Sequence, residues 1–499
     1  MLPQGVAFIR TTKKTDLLNL PAHATVLRTS DVRMTCVVKM LDARPVHQKE
    51  HLAALVAVTV LSGIGAGLGG MSLVLLLHFI QHVAYGYSVN ALIGQESFLQ
   101  GVTSSSPMRR VLALAACGLI TGVGWWIIYR FGRPLVSIRK AVRADDPRMP
   151  VVATTAHALL QIIAAALGSP LGREVAPREI GATFAGWLSW RTGLPPATSR
   201  ILVACGAGAG LAAVYNVPLA GALFVLEVLL RSFRLSTFIL AITTSVTAAS
   251  VAGIALGNGS QYTVPHLTIS LSLVIWSIVA GPVLGFAAYW YARLAAASRS
   301  HAPRDWRLLV WCLISFLVIG VVAIPFPQLL GNGRGPTQMA FDSNLTIGLA
   351  ATTLLLKIPA VAGSLRAGAE GGLLTPSLTI GALLATLIGY VWNLSWPGVP
   401  LGDFAIVGAA AFLASAMEMP VTAIALIVEL TRADQASLIP IFLAVAGSVA
   451  ASRLSSALRS KSRISAHALH VEMKTLRKWA SHYSAGVMRS KGAIHFSHR

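Results

Sequence analysis

Of 499 residues, 55% are hydrophobic and only 12% charged, where a soluble domain has roughly 25%. That composition excludes an ordinary soluble globular protein. The net charge of +22 does not signal nucleic-acid binding, because the basic residues gather in tails and short loops, as the positive-inside rule has it for the cytoplasmic segments of a membrane protein.

Residues 1–50 form a polar leader with eight Lys/Arg and four acids. Its first 20 residues lack an uninterrupted apolar core, so no cleaved signal peptide is expected. Apolar segments then run over 52–85, 109–130, 151–167, 174–190, 199–214, 218–232 and 236–256. A second series covers 267–297, 307–330, 345–361, 373–392, 402–416, 420–431 and 436–457. The spacing predicts an all-α polytopic membrane protein. Several segments are too short to cross ~30 Å of hydrocarbon at about 1.5 Å per residue, the pattern of helices that end inside the membrane. Basic runs lie at 130–148 and at Arg293, Arg299, Arg304 and Arg307, and residues 459–499 carry nine Lys/Arg against one acid, Glu472. Both termini are therefore expected in the cytoplasm, with an even number of crossings. The organisation expected is a leader (1–50), a membrane domain (51–460, half-repeats about 52–256 and 267–460) and a basic tail (461–499) with no regulatory soluble domain.

Within the first segment, Gly65-Ala66-Gly67-Leu68-Gly69-Gly70 imitates a dinucleotide fingerprint. No strand precedes it, so close helix packing through small residues is expected, as for residues 206–210. His78 and His82 share a helix face without a third metal ligand and are expected at the membrane interface. Cys36, Cys117, Cys205 and Cys312 are scattered singly and suggest neither a metal site nor a disulfide framework. In the basic loop, Gly132-Arg133-Pro134 could open a helix N-terminus toward the cytoplasm, with Arg133 attracting anions; a simple positive-inside arginine fits equally well.

Glu174 stands out. It sits in Gly172-Arg173-Glu174, inside a stretch (151–190) otherwise apolar enough for a bilayer, and an ionisable group there is costly and marks an ion or proton pathway. Around it GSPLGREVAP breaks the helix and frees backbone N–H groups that can hold an anion. Burial favours the neutral form of a carboxylic acid, so Glu174 can compete with an anion when ionised and vacate the path when protonated. The plainer alternative is a structural Arg173–Glu174 pair.

The two series are internally related. Residues 206–227 align with 408–430, so that Pro218 matches Pro420 and Glu227 matches Glu429, both offset by 202. Gly172-x4-Pro177 has its counterpart in Gly371-x4-Pro376. In the latter, Gly371-Gly372-Leu373-Leu374-Thr375-Pro376, the glycines allow close backbone approach and Thr375 adds a hydroxyl donor. Paired breaks predict a site at the repeat interface. Glu227 and Glu429 are expected to cap the matched helices or to pair with Arg231 and Arg432.

LGREVAPREIG (171–181), YNVPLAGALFVLE (215–227), GGLLTPSLTIGA (371–382) and MPVTAIALIVELT (419–431) resemble, in order and spacing, the CLC family of anion channels and proton-coupled anion antiporters, over roughly 50–460. The resemblance implies a homodimer of inverted-repeat subunits in a bacterial inner membrane, with lipid around it and a halide anion and a proton as its cargo. It implies no cofactor, no nucleic acid and no enzymatic activity. Glu174 would be the gating, proton-carrying glutamate. The anion would be bound by Gly132, Arg133, Pro134, Gly172, Arg173, Val175, Gly372, Leu373, Leu374, Thr375 and, near the last helix, Ile464 in place of the family's Tyr. Departures stand beside the match. Val175 and Ala176 replace Gly-Pro, no Ser stands in the 132–134 turn, Leu374 replaces Phe, and Val228 occupies the place of an internal proton-transfer acid. These departures resemble the fluoride-exporting branch, so fluoride is placed slightly ahead of chloride, and a passive anion channel is the alternative. An intramembrane enzyme would need a convergent nucleophile–base or metal set, and none is apparent.

Overall fold

The computed structural model describes residues 44–87, 97–265, 269–459 and 474. The chain falls into two units, 1–53 and 54–499, and of the first only the helical residues from 44 onward are described. Cys36, Ile464 and nearly all of both basic tails lie outside the described residues.

Among the described residues everything regular is helical. In chain order the helices are α1 (Arg44–Tyr85), α2 (Phe98–Ser104), α3 (Pro107–Phe131), α4 (Ile138–Arg143), α5 (Val151–Ala166), α6 (Val175–Arg191), α7 (Pro196–Tyr215) and α8 (Pro218–Phe224, continued by a π-turn over Val225–Leu230). They continue as α9 (Leu235–Leu256), α10 (Leu271–Ser300), α11 (Arg307–Val322), α12 (Arg334–Phe341), α13 (Ile347–Ala367), α14 (Leu374–Ser395), α15 (Leu401–Ala416), α16 (Pro420–Thr431) and α17 (Gln435–Arg459). Eight of them are long and apolar enough to cross a membrane. The protein is an integral, multi-pass membrane protein of helices that are partly too short to span, arranged as an inverted repeat.

The apolar segments of the sequence recur as helices, with one shortening. The segment expected over 307–330 stops at Val322, because Pro325 and Pro327 follow and proline cannot continue a helix. The short helices α2, α4 and α12 have too few residues to show a period. Serine starts two of them at the sequence level: Ser97 and Ser137 accept from the backbone N–H of Gln100 and Lys140, supplying the cap that the first turn lacks.

The repeat is visible in backbone geometry. Asn216 (φ 55°) and Glu418 (φ 54°) take left-handed conformations just before Pro218 and Pro420, and Arg231 (φ 52°) and Arg432 (φ 51°) do so after the matched helices. Close packing is likewise repeated. A Cβ on Gly181 or Gly206 would run into the other's carbonyl oxygen, and one on Gly381 would meet the carbonyl of Gly408. The glycines of 63–70 also pack onto neighbours, Gly65 on Phe184 and Gly69 on Ile180, as expected for close helix packing. Cys117, Cys205 and Cys312 are buried and free.

The start of α5, the end of α6 and the start of α7 share one face of the protein. Arg148 lies over the Trp190 ring at 5.2 Å and Arg200 pairs with Asp145 at 2.7 Å. The same loop holds the exposed Asp146–Arg148 pair at 2.6 Å, and this hydrogen bond keeps the Asp146 carboxyl below its ordinary value. This is the face that carries the basic run 130–148.

Candidate functional site

After α5 the chain crosses the protein irregularly until Gly172 meets Gly372. Each donates its N–H to the other's carbonyl at 2.8 Å, an isolated antiparallel pair between the half-repeats. Directly beyond it, α6 starts at Val175 and α14 at Leu374. The two breaks in the sequence thus become two helix N-termini held side by side.

Glu174 flanks the first of these helices and is fully buried. Its side chain reaches across to the other half, where Leu374 N–H donates to Oε1 at 2.6 Å. Free N–H groups and the positive end of the helix dipole make this a place for a carboxylate or a small anion. The second oxygen, Oε2, is buried with no hydrogen-bond partner. A Cβ on either Gly172 or Gly372 would collide with this carboxylate, so glycine at both positions carves its cradle. Arg178 braces the turn, its Nε donating to the Glu174 carbonyl at 2.7 Å while its guanidinium lies over Phe224 at 5.1 Å.

Arg173 forms no ion pair with Glu174 among the described residues, so the structural-pair alternative does not hold. It lies over the ring of Tyr215 at 5.6 Å, with Nε buried and unpartnered. The guanidinium borders a cavity of about 520 Å³ whose lining includes His78, Tyr215, Tyr262, Arg334 and Thr375. Thr375 Oγ1 lies 3.4 Å from the Tyr215 hydroxyl. The structure therefore gathers Gly172, Arg173, Glu174, Val175, Gly372, Leu373, Leu374 and Thr375 around one crossing.

Gly132, Arg133 and Pro134 are not part of that gathering. They are exposed at the end of α3, where Gly132 N–H donates to the Ile128 carbonyl at 2.9 Å and closes the helix. Pro134 keeps the chain extended until Ser137 caps the six-residue α4, its hydroxyl engaged by Lys140 N–H. The expected third N-terminus exists, but it begins at Ile138 and not at the glycine. Ile464 is outside the described residues. His82 is buried in the last turn of α1 and packs on Tyr87, ring centroids 4.5 Å apart.

Glu227 and Glu429 do cap helices, but each caps a helix of the opposite half. Glu227 accepts from Val421 N–H (3.0 Å), Thr422 N–H (2.7 Å) and the Thr422 hydroxyl (2.7 Å). Glu429 accepts from Leu219 N–H (2.9 Å) and Ala220 N–H (2.7 Å). Among the described residues neither pairs with Arg231 or Arg432; Arg432 donates to the Asn258 carbonyl, and both arginines stand at left-handed helix ends.

Sequence reasoning missed Tyr215, Tyr262 and Arg334, whose roles depend on walls contributed by distant segments. It also missed a buried trio, His157, Glu179 and Gln161. For Glu179 a signal was present: a second acid in the same apolar stretch, five residues after Glu174.

A family model described as "Voltage gated chloride channel" matches residues 112–453. The chain is 29% identical to a putative chloride channel protein ClcB-like of Ralstonia nicotianae, over 71% of this chain and 85% of that protein. Among solved structures it resembles a slow cyanobacterial Cl−/H+ antiporter (TM-score 0.70, 18% identity, 80% of this chain and 94% of that one). It also resembles a CLC-type fluoride/proton antiporter (TM-score 0.58, 18% identity, 80% and 95%).

Proposed function

The chain belongs to the voltage-gated chloride channel family, and from that premise we propose that it carries a halide anion across the membrane in exchange for protons, with Glu174 as gate and proton carrier. The observation behind this reading is the Glu174 carboxylate itself, wholly buried, with one oxygen on Leu374 N–H at 2.6 Å and the other unpartnered. An ionised carboxylate there occupies the position a small anion would take at the N-terminus of α14. Once protonated it loses most of its attraction to the N–H and the helix dipole, and the anion replaces it. Anion and proton thereby exclude each other at one place, which is what coupled exchange in opposite directions requires.

Chloride is the reading we adopt for the anion. The cradle consists of glycines, leucines and backbone amides, and among the described residues no charged side chain donates to the carboxylate, which suits an anion that dehydrates easily. The curated relative named above carries a chloride name. Fluoride is the second reading, favoured by Val228 in place of an acid and by the absence of Ser at 132–134. The anion would enter past the Arg173–Arg334 cavity, where cationic walls raise its local concentration. The basic face at 130–148 would be the cytoplasmic one, placing both termini inside, and a second copy of the chain would complete a homodimer.

Purified protein in liposomes tests this. An imposed chloride gradient should drive protons the opposite way, and chloride should leave loaded vesicles faster than fluoride. Anion flux without proton movement would reduce the protein to a passive channel, and equal or faster fluoride efflux would overturn the choice of chloride.

A further inference from the structure

A second buried ionisable cluster lies between Glu174 and the basic face. His157 on α5 and Glu179 on α6 are 7% and 9% exposed. His157 Nδ1 and Glu179 Oε2 are 2.9 Å apart, and Gln161 Nε2 lies 2.9 Å from that nitrogen and 3.1 Å from that oxygen. Gln161 Oε1 is buried without a partner. As packing alone this is a poor arrangement, since apolar side chains of similar volume would avoid the desolvation of ionisable groups.

The position has more to say than the burial. Glu179 is five residues along α6 from Glu174, about 7.5 Å in the axial direction, toward the end of the helix that meets the basic face. His157 is six residues in from the start of α5, which lies on that same face. Two helices thus bring the trio to one depth, inward of Glu174. The charged groups facing it are few. Glu370 and Arg299 act on His157, and Arg178 neighbours Glu179 while engaged with the Glu174 carbonyl. Glu370 is half-buried and takes a hydrogen bond from the Tyr129 hydroxyl at 3.2 Å, and Arg299 donates to the Gly371 carbonyl at 2.9 Å. The surroundings of the trio therefore connect to the very turn that holds Glu174.

We propose that the His157–Glu179 pair, oriented by Gln161, is the inner proton station that loads and unloads Glu174. The proposal rests on the proton-coupled reading above. The 2.9 Å contact between Nδ1 and Oε2 requires a proton on one of the two atoms. A further proton from the inner side takes the pair from a net charge of −1 to neutral, as imidazolium–carboxylate or imidazole–carboxylic acid. Transfer of one proton to Glu174 through water returns the pair to −1. One proton enters, one leaves, and no bond between heavy atoms changes.

The test uses the full chain in liposomes, recording anion flux and pH together for wild type, Glu174→Gln, Glu179→Gln, Glu179→Asp and His157→Gln. The relay predicts that Glu179→Gln and His157→Gln lower the proton-to-anion ratio by about a hundredfold while anion flux persists, and that Glu179→Asp restores coupling in part. An unchanged ratio in both variants overturns the relay and leaves the role of Glu174 standing. Loss of anion flux together with proton flux in all three substitutions at 157 and 179 also overturns it, since the pair would then be structural. A wild type that moves no protons overturns the coupling itself, whatever the variants do.

Discussion

Three glutamates cross between the half-repeats to a helix N-terminus, and they are not alike. Glu227 and Glu429 place each of their oxygens on a donor, two backbone N–H groups apiece, with the Thr422 hydroxyl added for Glu227. Glu174 places one oxygen on one N–H and leaves the other buried and bare. The first two are clasps: the donors that hold them are satisfied only by staying. The third has an incomplete set of partners, so protonation or a competing anion costs it little. The same device, a carboxylate on the partner repeat's helix, therefore serves as a rivet where its valences are filled and as a movable group where they are not.

The difference can be broken in order of expected effect. Glu174→Gln should abolish anion-driven proton movement while anion flux continues, seen by pH and anion electrodes on the same vesicles. An equal effect from Glu227→Gln would erase the distinction. Gly372→Ala should come next, because its Cβ runs into the carboxylate and overpacking of about 1–3 kcal/mol is enough to push Glu174 off the Leu374 N–H. Anion flux should then rise toward that of Glu174→Ala, and adding Gly372→Ala to Glu174→Ala should change nothing more. Glu227→Ala should strand two N–H groups and a hydroxyl, lowering stability by about 2–4 kcal/mol. A thermal melt in detergent would show this, with the proton-to-anion ratio unaltered. Thr422→Val should be the mildest, removing one hydrogen bond worth about 1 kcal/mol, with a small drop in melting temperature and normal transport.

Much of the fold was legible because it is local. Apolar runs of membrane length become helices, and Pro218, Pro420, Pro325 and Pro327 end or begin them where proline must. Glu174 announced itself by being an acid in an apolar stretch. The same rule applies to Glu179, an acid five residues further along the same apolar stretch. The turn at 132–134 left two readings open, a helix start and a positive-inside arginine, and the helix that follows it is capped by Ser137, three residues past the proline.

The sequence by itself determined that this is a helical membrane protein of two related halves, with a costly carboxylate at a break, because hydropathy, proline geometry and an offset of 202 act within or between short windows. Only the tertiary structure decided which N–H each carboxylate meets. Gly172 and Gly372, Glu174 and Leu374, and Glu227 and Thr422 lie 195 to 200 residues apart in the chain. At that separation no propensity or period carries information. Partnership there follows from how two inverted halves pack, and with it follows whether a glutamate is held on both oxygens or on one.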